Sequence, residues 1–196
     1  MERTDIPRRR LGKTDVEITI LGLGGEGVLR TFGHGKEADA LINTALDLGV
    51  NYFESARAYD GSESYYGAAL KGRRERVFLA SKTHARDKKG ALAHLEASLK
   101  ELKTGYLDLW MVHDVRTEEE INSIFAPGGA MEAFIEARDK GLVRFIGVTG
   151  HHDPVILRRS IEAFDFDTVL IPVNPAEPRH KCFLEEIVPI AGARDI

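Results

Sequence analysis

The sequence predicts an α/β fold, a (β/α)8 barrel represented by six β–α units behind an N-terminal β-hairpin. Three observations carry that expectation. Short apolar runs alternate in strict order with stretches of helical periodicity from residue 20 to residue 191. Most of these runs are continuously apolar, as strands of a parallel sheet covered by helices must be. A polar side chain also recurs where nearly every run ends, at Glu54, Lys82, His113, Thr149 and Asn174. In a barrel the carboxyl ends of the strands share one face, the face on which sites are built.

The elements follow in order. Residues 8–11 and 16–20 flank the turn residues Gly12-Lys13-Thr14-Asp15 and read as the hairpin. The Arg8-Arg9-Arg10 run is read as a solvated strand face, since a short isolated basic run is a weak signal of an anion site. Ile20-Leu21-Gly22-Leu23-Gly24 reads as a short buried strand. Residues 36–48 carry apolar side chains at 38, 41, 42, 45, 46 and 48, a helical spacing, and Gly49 supplies the stop. Asn51-Tyr52-Phe53-Glu54-Ser55 is the next strand, residues 63–70 the next helix, and Val77-Phe78-Leu79-Ala80-Ser81-Lys82 the strand after it. Leu92, Leu95, Leu99 and Leu102 share one face of a helix over 89–102. Leu107 to His113 is a fourth strand, and 117–140 is helical with an interruption at Ala126-Pro127-Gly128-Gly129. Residues 144–148 form a fifth strand, 154–164 a helix, 169–173 a sixth strand and 183–191 a last helix. Gly22-Leu23-Gly24-Gly25-Glu26-Gly27 matches Gly-x-Gly-x-x-Gly as letters, which a doubly wound open sheet would require. A lone match of this kind is weak, and the open sheet leaves the polar strand ends unexplained.

Composition narrows the class. Of 196 residues, 43% are hydrophobic and 30% charged, the mix of a globular chain rather than a disordered or fibrous one. The net charge of −4 argues against a general nucleic-acid or anionic-membrane surface. Cys182 is the one cysteine, so no internal disulfide forms, and a reducing compartment fits. No apolar run reaches the roughly 18 residues of a membrane span, and the N-terminus lacks an apolar signal-peptide core. The expectation is a cytoplasmic protein of one domain over residues 1–196, acting on a small molecule, with neither nucleic acid nor membrane as partner. Its oligomeric state has no signature in the sequence, although an opened barrel would leave sheet edges able to pair.

Glu54, Tyr59, Lys82 and His113 would converge at one barrel face. Chemically they form a device for delivering a proton. An ammonium beside a phenol stabilises the phenolate and lowers the tyrosine pKa, and a carboxylate holds that ammonium charged. A neutral histidine can donate a hydrogen bond to a carbonyl oxygen, so the set suits proton delivery to a ketone or aldehyde while hydride reaches its carbon.

These residues also carry a family resemblance. Asn51-Tyr52-Phe53-Glu54-Ser55-Ala56-Arg57-Ala58-Tyr59, with Ser62-Glu63 and Gly67, resembles the aldo-keto reductase signature. Ala80-Ser81-Lys82-Thr83, Asp108-Leu109-Trp110-Met111-Val112-His113 and Ile146-Gly147-Val148-Thr149-Gly150-His151 resemble three further strands of that family. The resemblance implies a (β/α)8 barrel that reduces carbonyl compounds with NADP(H), in preference to NAD(H). It makes Tyr59 the general acid, Lys82 its partner and His113 the group that orients substrate. Glu54 stands where the family has Asp, one methylene longer with its charge kept. Gly25, Thr149, His151 and Asn174 would face the cofactor, Asn174 standing where many members carry Gln. The Thr149-Gly150-His151 and Val173-Asn174-Pro175 runs are similar to a bacterial branch. The family's seventh and eighth strands, which supply cofactor contacts, have no counterpart before Ile196, so the resemblance implies a truncated reductase that binds dinucleotide weakly.

Three other readings stand beside it. An inactive fragment or binding module would keep the four residues without turnover. A metal-dependent hydrolase on the same barrel could use His113-Asp114 and His151-His152-Asp153 as ligands. A Schiff-base aldolase could use Lys82.

Overall fold

Hydrogen bonding sorts the strands into two sheets. The computed structural model describes residues 6–176 and 179–196. Strands β1 (Arg8–Arg10) and β2 (Glu17–Thr19) pair antiparallel as the hairpin, joined through a 3-10 turn at Gly12–Thr14. Arg10 donates to both carboxylate oxygens of Asp195 at 2.8 Å, which ties the hairpin to the last turn of the chain. The basic run is otherwise an exposed strand face, as its composition implies.

The second sheet holds β3 (Gly22–Gly24), β4 (Tyr52–Glu54), β5 (Phe78–Thr83), β6 (Leu107–Val112), β7 (Val143–Thr149) and β8 (Thr168–Leu170). All neighbours are parallel and lie in sequence order, β3-β4-β5-β6-β7-β8. A doubly wound sheet must reverse its order at a switch point, and this one never does. The glycine-rich run after β3 opens a 3-10 turn at Gly27–Leu29 instead of a phosphate-binding helix. The architecture is an incomplete (β/α)8 barrel, open between β3 and β8.

Helices α1 (Gly35–Asp47), α2 (Ser62–Ala69), α3 (Lys88–Glu101), α4 (Glu118–Phe125), α5 (Ala130–Asp139) and α6 (Pro154–Ala163) follow the strands, and α7 (Phe183–Glu186) and α8 (Val188–Ala193) close the described chain. Two expected helices are each two. Gly128, at φ +76°, turns the backbone between α4 and α5. The helix expected over 183–191 breaks at Ile187, because Pro189, the second residue of α8, cannot donate into a continuing helix. The first strand is shorter and more exposed than expected. Ile20 and Leu21 lie outside it, 64% and 57% exposed, since β3 has a hydrogen-bonded neighbour on one side only. β8 likewise stops at Leu170, short of the expected 173.

Side-chain alternation assigns the two faces of the sheet. Leu79, Trp110, Val112, Ile146 and Val148 point to the helices, where Trp110 stacks on Phe134 of α5 at 3.9 Å between ring centroids. Phe78, Ala80, Leu109 and Met111 point the other way, into the curl of the sheet, against Tyr52, Phe145 and the hairpin residues Leu11, Val16 and Ile18. The hairpin therefore floors the half-barrel. Because strand side chains repeat every second residue, Glu54 follows Tyr52, Lys82 follows Ala80, His113 follows Met111 and Thr149 follows Phe145 onto this inner face.

Candidate active site

The alternation that buries Tyr52, Ala80 and Met111 carries the next inner positions to the open end of the curl. There a cleft of about 370 Å3 is lined by Glu26, Glu54, Tyr59, Lys82, His113, Thr149, Gly150, His151, Leu170, Ile171 and Pro172.

Lys82 is the centre of this arrangement. It is 2% exposed, its Nζ is in direct contact with the Glu54 carboxylate, and it donates to the Ser55 carbonyl at 2.9 Å. Burial pushes the ammonium down to about 7, opposed by the negative charge of Glu26. The contact with the Glu54 carboxylate acts in the same sense as Glu26, favouring the charged form. The longer carboxylate at position 54 thus still reaches its partner.

Tyr59 lies on the loop between β4 and α2. That loop rides on β5, with Ser55 N donating to Ala80 O at 2.9 Å and Arg57 N to Lys82 O at 3.0 Å. Its far end is held by Glu63, 3% exposed, which accepts from Ser81 Oγ at 2.6 Å and pairs with Arg57. Gly67 completes the anchor. A Cβ there would lie 2.1 Å from the Glu101 carbonyl, so only glycine lets α2 approach the end of α3 this closely. The Ser62-Glu63 and Gly67 positions of the motif are therefore positioning residues for the tyrosine loop.

The Lys82 ammonium sits 4.5 Å from the centroid of the Tyr59 ring, and the His113 ring meets Tyr59 edge-on at 5.6 Å. The expected lowering of the phenol is not observed. Tyr59 is pushed up to about 12, by burial first and then by Glu26, with Arg30 opposing. The reason is geometric, because Lys82 faces the ring and is held by Glu54 and Ser55. Among the described residues, no hydrogen bond joins its ammonium to the phenol oxygen. His113 is pushed down to about 3, chiefly by burial and then by the Lys82 charge, so its ring is neutral at physiological pH.

The remaining positions divide. Thr149 ends β7, 4% exposed, and its Oγ1 accepts from Asp114 N at 2.8 Å, which leaves its own hydroxyl proton to donate. His151 lines the cleft. Gly25 packs within the protein, where a Cβ would lie 2.2 Å from Ser62 Oγ and 2.8 Å from the Glu54 carbonyl. Asn174 is exposed, four residues beyond β8; its Oδ1 accepts from Ala176 N at 3.0 Å, and it is not part of the cleft lining.

Sequence reasoning missed Glu26, which bears on both Lys82 and Tyr59; nothing in a glycine-rich turn marks it. In the sequence Asp108 is one letter of the strand motif; the structure gives it a role. It receives Arg74 and Arg144, both at 2.6 Å, and Leu79 N at 2.9 Å, and so clamps the opposite end of β5, β6 and β7. A charge inside an apolar strand is the signal that it had to be paired.

The family model for the Aldo/keto reductase family matches residues 21–195. Aldo-keto reductase YhdN of Bacillus subtilis is 30% identical over 195 residues, covering 90% of this chain and 54% of that protein. Methylglyoxal reductase YeaE of Escherichia coli is 35% identical over 103 residues, half of this chain and 36% of that protein. The thermostable aldo-keto reductase Tm1743, solved with the inhibitor epalrestat, superposes with a TM-score of 0.78 at 29% identity, covering 97% of this chain and 70% of that one. Aldo-keto reductase AKR11C1 of Bacillus halodurans, in its holo form, shares the fold at a TM-score of 0.82 and 24% identity, over 97% and 64% of the two chains. This chain spans about half the length of the curated relatives it matches first. The matched span contains every strand of the half-barrel and all four residues converging on its cleft, and the chain belongs to the aldo/keto reductase family.

Proposed function

We propose that the protein reduces a small aldehyde or ketone to the alcohol with NADP(H), in preference to NAD(H), through Tyr59, Lys82, Glu54 and His113. The observation that carries this reading is the buried Lys82 ammonium, in contact with Glu54 and 4.5 Å from the ring of Tyr59, which His113 flanks. A nicotinamide cofactor, when bound, supplies hydride to the carbonyl carbon. Tyr59 gives its proton to the carbonyl oxygen. A phenol near 12 stays protonated throughout the neutral range, ready to donate, and the Lys82 charge favours the phenolate left behind. Neutral His113 donates a hydrogen bond to the same oxygen and sets the angle of approach. The open proton of Thr149 and the ring of His151 suit a carboxamide at the cleft wall, and Gly25 and Asn174 are proposed cofactor positions outside the cleft lining. Residues 1–196 are read as one domain of the barrel type, of which this sequence carries six β–α units. Among the described residues, no helix is long and apolar enough to cross a membrane, and the reading is of a cytoplasmic enzyme.

Relatives named methylglyoxal reductases make a small 2-oxoaldehyde the first substrate to try. NADPH consumption is followed with methylglyoxal and a panel of simple aldehydes and ketones, and the reading expects turnover that falls about 10²-fold or more in Tyr59→Phe. NADPH affinity should be kept in that variant. A parent chain without turnover on the panel, or a folded Tyr59→Phe with full turnover, overturns the reading.

A further inference from the structure

Asp114, His151 and His152 come together at the rim of the half-barrel, where the turns after β6 and β7 meet, each offering one ligand atom within 4.8 Å of the others. The proposed reduction uses neither Asp114 nor His152. The three are brought together by the backbone. Asp114 N donates to Thr149 Oγ1 at 2.8 Å and Val115 N to Thr149 O at 2.9 Å, so the turn after β6 is fixed against the end of β7. Asp114 itself takes a left-handed φ of 55°, which asparagine and aspartate tolerate better than other side chains.

The carboxylate is unevenly satisfied. Oδ2 receives Arg116 Nε and Nη2, both at 2.6 Å. Oδ1 is shielded from solvent and, among the described residues, accepts no hydrogen bond, on a side chain only 10% exposed. His151 Nδ1 lies 3.1 Å from Oδ1 without an N–H aligned on it, and His152 Nε2 lies 3.7 Å from Oδ2. A buried carboxylate oxygen without a donor is costly, and a cation held jointly with two ring nitrogens would satisfy it. The separations of 3.1 Å and 3.7 Å fall on different carboxylate oxygens, and the three ligand atoms spread up to 4.8 Å, so the exposed His152 ring has to turn in towards Oδ1 to close the set on a small ion. Bonds of about 2.0–2.1 Å at a tetrahedral angle place two donor atoms about 3.3 Å apart. Two imidazoles and one carboxylate select a borderline transition metal over Mg2+ or Ca2+, which take oxygen ligands. The histidines are 54% and 46% exposed, so an ion can enter from solvent, and three protein ligands leave a coordination position open.

We propose that Asp114, His151 and His152 form a binding site for a divalent transition-metal ion of the zinc class, at the rim of the Tyr59–Lys82 cleft, with His151 shared between the two. His151 would bind through Nδ1, leaving Nε2 uncommitted. Arg116, on the far carboxylate oxygen, and Arg86, whose Nη2 donates to the Asp114 carbonyl at 2.9 Å, are the cations that oppose the ion.

The test is calorimetric titration of ZnCl2 into the untagged chain at neutral pH. The expected result is one ion per chain, with affinity lowered on the order of 10-fold or more in His152→Ala and in His151→Ala, both exposed positions where folding is secure. Arg116→Ala removes an opposing charge and should tighten binding. Absence of saturable binding, or affinity unchanged in both histidine variants, overturns the site. Weaker binding in Arg116→Ala would equally contradict the placement on Asp114.

Discussion

Strands β5 and β6, in the middle of the sheet, each run six residues with every side chain buried. At the edges of the same sheet, β3 and β8 run three residues each, and Leu170 of β8 is 39% exposed. The difference comes from neighbours more than from residue type. A central strand is hydrogen-bonded on both sides and covered on both faces, so even a lysine on it is driven out of water and must find a carboxylate. An edge strand lacks one neighbour, and apolar residues such as Ile20, Leu21 and Val173 remain in solvent beside it. The proposed proton-delivering residues stand on or beside the middle strands, where electrostatic effects are large. Of the positions assigned to the cofactor, Asn174 follows the edge strand β8 and is solvated.

That contrast can be tested by substitution, beginning where the middle of the sheet should respond most. Lys82→Met leaves the Glu54 carboxylate, 14% exposed, without its partner and should cost about 3–5 kcal/mol in urea unfolding. Adding Glu54→Gln to that variant should restore part of the loss. A single variant as stable as the parent would show that the pair is not desolvated in solution. Gly67→Ala comes next. Its Cβ meets backbone at Glu101 and Leu102 with no flexible side chain to yield, and the expected cost is about 1–3 kcal/mol, read in the same melts.

His113 makes a pH-dependent contribution. Its folded pKa, near 3, lies below the ordinary histidine value, so the unfolded chain takes up the proton first as pH falls. The stability it contributes is whole above about 6.5 and is lost progressively as pH falls towards 3. Melting temperatures across that window should therefore fall less in His113→Gln than in the parent. Parallel curves would mean that the ring is solvated. The smallest effect belongs to the edge. Ile20→Ser should change stability by no more than about 0.5 kcal/mol, since the side chain is already 64% exposed. A larger loss, or one that depends on protein concentration, would reveal that this edge is covered in solution.

Much of this was legible in the amino-acid order. The alternation of apolar runs with helical periodicity indicated the strands and their sequence, and the sheet follows it without a reversal. Glu54, Lys82 and His113 were legible for the same reason, whereas Tyr59, on the loop after β4, was legible only through the motif around it. A side-chain period of two leaves strand-end residues on a known face once their apolar predecessors are buried. Where the reading erred, the deciding contacts were not local. Ile20 and Leu21 have strand composition but no neighbour to bury them. The phenol of Tyr59 was expected to be lowered by Lys82, yet the ammonium is turned to Glu54 and the Ser55 carbonyl while burial raises the phenol.

The sequence by itself determined the period, order and type of the elements, because backbone geometry turns a pattern of apolar residues directly into a buried face. Only the tertiary structure decided which charges meet. Asp108 received Arg74 and Arg144, Glu63 received Arg57 and Ser81, and Asp114 came to lie beside His151 and His152. Those partners lie between 6 and 38 residues apart along the chain, apart from any shared helix or strand period. Their pairing depends on distances of a few ångströms between neighbouring strands and loops, and only the packed sheet sets such distances.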